Sequence, residues 1–74
     1  MDSMALVSLK PNQSGIIKEI SGGCKARKRL YELGLYKGAS FKVVKNDIGP
    51  IILSLSGHKL ALGRGIAHNV FVEH

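Results

Sequence analysis

The sequence predicts an all-β fold with one inserted helix, namely a small SH3-like antiparallel β-barrel of about five strands. Three observations support this prediction. The apolar runs are short, most of them alternate with polar residues, and glycine-containing turns separate them. One stretch differs, because Gly22 to Gly38 repeats its apolar residues with helical spacing. Since an open sheet of short strands leaves its edges exposed, we expect the sheet to close into a barrel.

The start of the chain is predicted to be irregular up to the first strand. We expect residues 1–5 to be frayed, Leu6 and Leu9 to hold a short turn against the core, and the turn residues at 11–15 to form a loop. The first strand then runs from Ile16 to Ile20. Residues 21–23 end this strand and lead into the helix.

The helix is predicted from its periodicity and its glycine boundaries. Its apolar residues fall on one face, at Ala26, Leu30 and Leu33. Charged residues share the opposite face at the same spacing, at Lys25, Arg29 and Glu32. Gly34 suits the left-handed conformation that closes a helix, and Leu35 can then fold back onto the end of the apolar stripe.

The second half of the chain is predicted to add four strands. Their ranges are Ala39 to Lys45, Ile51 to Ser56, His58 to Leu62 and Asn69 to Glu73. Alternation places these side chains on the inner face: Phe41, Val43, Ile51, Leu53, Leu55, Leu60, Leu62, Val70 and Val72. Residues 46–50 are predicted to form a hairpin loop, and Ile66 to His68 one short helical turn before the last strand.

Length and composition indicate one small cytoplasmic domain, residues 1–74. The single cysteine, Cys24, excludes an internal disulfide and a four-cysteine zinc site, which suits a reducing compartment. No apolar run approaches the roughly 18 residues of a membrane-spanning helix, and the amino terminus lacks the pattern of a secretory signal. We therefore expect a soluble protein.

The residues that commonly bind metals or perform catalysis form no recognisable motif. The soft metal ligands are Cys24, His58, His68 and His74, and no two of them lie three or four positions apart. A phosphate-binding loop is absent, because Gly63 to Gly65 lacks the following Lys and Ser or Thr. Nothing resembles a nucleophile with its base or a pair of carboxylates. The sequence thus predicts no enzyme, no metal site and no cofactor.

The formal net charge of +6 is the one biased property of the composition. It fits nucleic acid, an anionic membrane or an acidic protein as a partner, and it also fits solubility alone. Four of the eleven Lys and Arg residues lie in the helix, at Lys25, Arg27, Lys28 and Arg29. They form either a docking surface or a solvated helix face. Tyr31 and Tyr36, close to this charge, are either contact or packing residues.

Four groups of residues resemble the FeoA family in both identity and spacing. They are Leu-x-x-Leu-Lys-Pro-x-Gln-x-Gly from Leu6 to Gly15, Ile20-x-Gly22-Gly23, Arg29-Leu30-x-x-Leu33-Gly34-Leu35-x-x-Gly38, and Leu60-Ala61-Leu62. The resemblance extends from Leu6 to Glu73. It implies an SH3-like barrel with an inserted helix, acting as a cytoplasmic accessory to FeoB, the membrane transporter for ferrous iron.

The residues and the resemblance together give a docking hypothesis. The basic helix and the turn from Gly34 to Gly38 would contact the cytosolic part of a FeoB-type transporter, so that any membrane association is through this partner. The predicted contact residues are Lys25, Arg27, Lys28, Arg29, Tyr31, Leu35, Tyr36 and Lys37. Two alternatives stay open: a small nucleic-acid-binding barrel, for which stacking aromatics are scarce, and a module that senses a transition metal.

Overall fold

The computed structural model describes residues 3–74, which contain six strands, two α-helices and one 3-10 turn. The strands are β1 (Met4–Ala5), β2 (Ser14–Ile20), β3 (Ser40–Lys45), β4 (Ile51–Leu55), β5 (His58–Leu62) and β6 (Val70–Glu73). The helices are α1 (Cys24–Glu32) and α2 (Arg64–Ala67), and the 3-10 turn is Leu6–Ser8.

The six strands form one antiparallel sheet in the order β1-β6-β2-β3-β4-β5. Register shifts at Ile17/Glu19 in β2 and at Val43/Lys45 in β3 bend the long strands. The predicted class, an antiparallel sheet with an inserted helix, is confirmed. The predicted closure is wrong, because β1 and β5 end a linear order and no ladder joins them within residues 3–74.

The first residues of the chain differ from the predicted frayed start. Met4 pairs with Val72 and Ala5 with Phe71, so that this segment adds a sixth strand to the sheet. Two residues are too few to show the alternation that predicts a strand. The strand they pair with, β6, is also distant in sequence, so the pairing has no local signal. Met1 and Asp2 lie outside the described residues. The short turn that follows is confirmed, since Leu6 and Leu9 are both buried.

The core is built from the inner faces of the strands, one position in each α-helix, and residues of the 3-10 turn and of the segment after α1. Its fully or nearly fully buried side chains are Leu6, Leu9, Ile17, Leu30, Leu35, Ala39, Phe41, Val43, Ile51, Leu53, Leu55, Leu62, Ala67, Val70 and Val72. Leu60 is only half-buried. Ala26, Leu30 and Leu33 share one face of α1, as predicted, but only Leu30 is buried, because Leu33 is 39% exposed and Ala26 is exposed. The helix meets the sheet along Leu30, and the rest of its stripe faces solvent.

The end of α1 is fixed by its backbone. The Leu35 amide donates to the Leu30 carbonyl at 2.8 Å, and the Gly34 amide donates to Tyr31 at 3.0 Å. These two bonds form a Schellman motif, which requires a left-handed residue, and Gly34 has φ +96°. Leu35 is consequently turned back into the core, as the sequence predicts.

The turn after α1 is held against β2 by two backbone hydrogen bonds. The Gly38 amide donates to the Ile17 carbonyl at 2.8 Å, and the Ile17 amide donates to Ala39 at 2.9 Å. Residues 34–38 are therefore fixed at both ends, by the helix and by the sheet.

Candidate partner-docking site

A shallow pocket of about 320 Å³ lies between β2, α1 and the turn at residues 34–38. We call it the basic pocket. Its lining residues come from all three segments and are Lys18, Glu19, Ile20, Arg27, Tyr31, Leu35, Tyr36 and Lys37. The Schellman motif joins α1 to the turn, and the turn's hydrogen bonds join it to β2, so backbone hydrogen bonds connect all three walls of the pocket.

Positive charge dominates the basic pocket. Three cationic side chains, Lys18, Arg27 and Lys37, line it together with a single carboxylate, that of Glu19. Lys18 also forms a surface ion pair with Glu73, with 3.7 Å between Nζ and Oε2. Within residues 3–74, Arg27 and Lys37 have no acidic partner. Two cations are thus available for an anionic group from another molecule.

Two tyrosines supply apolar surface and hydroxyl groups beside these cations. The ring centroids of Tyr31 and Tyr36 are 5.1 Å apart and the ring planes are inclined by 44°, which is a favourable tilted packing. Tyr31 is 65% exposed and Tyr36 43% exposed, so that both rings retain a free face. Arg27 lies four residues before Tyr31 and shares its flank of α1.

The strand side of the pocket depends on a β-bulge. The register of β2 against β6 shifts between Ile17 and Glu19, which leaves Lys18 as the extra residue. A bulge bends its strand and redirects its side chains. Lys18 and Glu19 are accordingly both exposed, and both line the pocket.

The structure separates the predicted contact residues into two groups. Five of them line the basic pocket: Arg27, Tyr31, Leu35, Tyr36 and Lys37. Lys25 and Lys28 are exposed on α1 outside this pocket, and Arg29 lines a different groove. Sequence reasoning missed Lys18, Glu19 and Ile20. The available signal was the break in alternation within this strand, where the pair Ile16 and Ile17 is followed by the polar pair Lys18 and Glu19 at the bulge.

Leu35 requires a correction as a contact residue. It was predicted to provide apolar surface to a partner, but its side chain is fully buried. The Schellman motif directs it inward, where it packs in the core with Leu30. Leu35 therefore forms the floor of the basic pocket and positions Tyr36, which is exposed.

A second concavity, of about 230 Å³, lies on the other flank of α1. We call it the apolar groove, and its lining residues are Ala26, Arg29, Leu30, Leu33, Ala61, Leu62, Gly63 and Ile66. Leu33 is 39% and Ile66 44% exposed there. The helix thus stands between a basic pocket and an apolar groove, which amphipathic periodicity alone did not predict.

The potential metal ligands form no cluster of three within the described residues. No group of three or more His, Cys, Asp or Glu side chains is placed to hold an ion in residues 3–74. His58 has a structural role instead, because Nε2 lies 3.1 Å from the Leu33 carbonyl and Nδ1 lies 3.3 Å from that of Ser56. It connects the end of α1 to the turn between β4 and β5.

Neither helix in residues 3–74 has the length and apolar character that crossing a bilayer requires.

Comparison with known proteins gives consistent matches over nearly the whole chain. The family model described as FeoA domain matches residues 4–74. A curated protein of Methanocaldococcus jannaschii, described as "Putative Fe(2+) transport protein A", is 40% identical over 68 residues, which cover 92% of this chain and 83% of that protein.

Solved structures agree with this match. A crystal structure described as Iron Uptake Regulatory Protein (FeoA) superposes with a TM-score of 0.90 at 37% identity, covering 97% of each chain. The solution structure of the FeoA protein from Chlorobium tepidum gives a TM-score of 0.84 at 30% identity, covering 95% of this chain and 69% of that one. The sheet order, the helix after β2 and the sequence matches lead to one conclusion: this chain belongs to the FeoA family.

Proposed function

We propose that this protein is an accessory of ferrous iron uptake that docks through its basic pocket on the cytosolic part of a FeoB-type transporter. The names of its relatives, which refer to Fe(2+) transport and iron uptake, support the process. The observation that supports the surface is the basic pocket itself, where Arg27 and Lys37 lack an acidic partner within residues 3–74.

The chemistry of the pocket suits contact with a protein. Cations around its rim accelerate the approach of an acidic surface and orient it, which changes the association rate more than the affinity. Once the partner is bound, the free faces of Tyr31 and Tyr36 provide apolar area at low entropic cost. The protein would act from the cytoplasm by contact, without itself catalysing a reaction.

The proposal predicts that reversing charge in the pocket slows association. In the double variant Arg27→Glu, Lys37→Glu, the association rate with the purified cytosolic domain of the transporter should fall about tenfold or more at low salt. The loss should shrink as salt is raised, because salt screens exposed charges. Surface plasmon resonance at several salt concentrations measures both effects.

A matched control separates a specific surface from net charge. The variant Lys10→Glu, Lys42→Glu changes the net charge equally at two exposed positions outside the pocket. It should bind with a rate much closer to that of the parent protein. Equal loss in the two variants, or unchanged binding in the first, would contradict docking through the basic pocket.

Nucleic acid binding is distinguished by a parallel measurement. Labelled RNA and DNA should show no mobility shift with this protein at physiological salt. A shift that weakens with salt and disappears in the Arg27→Glu, Lys37→Glu variant would assign the same pocket to nucleic acid and overturn the proposal.

A further inference from the structure

The free edge of β5 and the apolar groove beside it suggest a second binding surface. We propose that an extended segment of a partner protein, with alternating acidic and aliphatic side chains, binds there as an added strand of the sheet. This surface lies on the flank of α1 opposite the basic pocket, and the inference is independent of the transporter proposed above.

The backbone of β5 has unused hydrogen-bonding groups at two residues. A two-residue turn, Ser56–Gly57, joins β4 to β5, and Leu55 pairs with His58 beside it. Residues flanking such a turn bond to each other and the ladder then alternates, so Lys59 and Ala61 direct their amide and carbonyl groups away from β4. Within residues 3–74, these amide and carbonyl groups have no other backbone partner.

The apolar groove runs along this edge. Ala61 and Leu62 of β5 form one side, and α1 forms the other with Leu30 and Leu33. Ile66 of α2 adds a further exposed aliphatic surface. A strand that bonds to Ala61 would place alternate side chains in this groove, where aliphatic groups replace water.

The contact of His58 with α1 sets where the added strand begins. His58 Nε2 lies 3.1 Å from the Leu33 carbonyl, which closes the groove at the start of β5. The edge is therefore accessible from Lys59 to Gly63. Only a few residues of a partner strand can pair with this edge. The binding affinity must therefore come from apolar contacts in the groove as well as from backbone hydrogen bonds.

Charge determines which kind of segment fits best. The groove is lined by one charged residue, Arg29, and Lys59 lies two positions from Ala61 on the same face of β5. No acidic side chain lines the groove. A second copy of this chain would bring its own net charge of +6 against these cations, whereas an acidic segment would be attracted.

The test uses a short synthetic peptide in which glutamate and valine alternate, titrated into the ¹⁵N-labelled protein. We expect amide shifts concentrated at Lys59, Ala61, Leu33 and Ile66. A second peptide has the same side chains, but every other backbone amide is N-methylated. It therefore lacks the N–H donors along one side of the strand. It should bind about tenfold more weakly if strand pairing occurs, and equal binding of the two peptides would overturn the added-strand geometry.

Variants of the protein provide a second test of pairing between the peptide and β5. Ala61→Pro removes an amide that faces away from β4, and proline is tolerated at such edge positions, so the fold should persist. Peptide binding should weaken about tenfold, because one backbone hydrogen bond is lost. Leu33→Ser, at a partly exposed position, should weaken binding through the groove wall without unfolding the sheet.

A control in the basic pocket separates the two proposals. Arg27→Glu changes charge on the other flank of α1 and should leave peptide binding within about twofold at physiological salt. Binding that is lost in Arg27→Glu but kept in Ala61→Pro would overturn the inference and assign the peptide to the basic pocket. Failure of transporter binding would leave the expected peptide result unchanged.

Discussion

Gly34 shows how one backbone conformation determines the position of several side chains. Its left-handed φ of +96° closes the Schellman motif, buries Leu35 and brings Tyr36 to the surface beside Tyr31. A side chain at this residue would be strained whatever the space around it. Its Cβ would also lie 3.4 Å from the His58 ring.

Replacing Gly34 with alanine should therefore lower the free energy of unfolding by about 1–2 kcal/mol, since a left-handed conformation disfavours a Cβ. Urea denaturation followed by circular dichroism measures the loss. Gly65→Ala is the matched control, because Gly65 lies inside α2 and an added Cβ there meets nothing within 4 Å. This control should be neutral or stabilising by up to about 1 kcal/mol, and an equal loss in both variants would contradict the role of Gly34.

Asn46 connects three elements that are distant in sequence. Its Nδ2 donates to the carbonyls of Val7 at 3.0 Å and Leu9 at 2.5 Å, which fixes the 3-10 turn. Its Oδ1 accepts a hydrogen bond from Arg64 Nη2 at 2.8 Å, and Arg64 also donates to the Asp47 carbonyl. The loop after β3 thus holds the first turn of the chain and α2 together.

Asn46→Ala should destabilise the protein by about 2 kcal/mol, because partly buried carbonyls and the Arg64 guanidinium lose their partner. Thermal unfolding by calorimetry measures the change. Asn69→Ala serves as the control, since Asn69 is exposed and should tolerate the change within about 0.5 kcal/mol. Similar melting temperatures for Asn46→Ala and the parent protein would show that these bonds contribute little.

The whole molecule is small relative to the range of its own electrostatic field. Its longest dimension is 29 Å, close to the screening length of about 30 Å at 0.01 M salt. With a net charge of +6 and, within residues 3–74, two exposed ion pairs at 3.7 and 3.9 Å, repulsion outweighs attraction at low salt.

The melting temperature should consequently rise when sodium chloride is increased from about 0.01 M to about 0.15 M, where the screening length falls to about 8 Å. Differential scanning fluorimetry across this series measures the trend. The Lys10→Glu, Lys42→Glu variant, with its lower net charge, should show a flatter dependence. A melting temperature that falls with salt would mean that ion pairs dominate over repulsion.

Local patterns predicted most of the elements, because alternation and helix closure depend on neighbouring residues. Strands β2 to β6, the end of α1 at Gly34 and the inward turn of Leu35 follow from such patterns, although β2 begins at Ser14, inside the segment predicted to be a loop. Strand pairing between residues that are distant in sequence could not be predicted from local patterns. The two-residue β1, the open sheet and the placement of Lys18 and Arg27 around one pocket depend on tertiary contacts that periodicity does not encode.

The same limit applies to the exposure of Leu33. Helical spacing places Leu33 on the face of Leu30, but how far the sheet extends beneath α1 decides which of them is covered. The sequence thus predicted an apolar stripe, and the structure shows that the stripe lines the apolar groove, with only Leu30 buried in the core.

Strand β6 lies between β1 and β2 although it comes last in sequence among the described elements. During synthesis on the ribosome, β1 has no neighbour in the sheet until Val70–Glu73 leaves the exit tunnel. Because β1 pairs with β6 alone, this edge of the sheet is completed only after the pairings among β3, β4 and β5 have become possible, and β1 should be among the last strands to join.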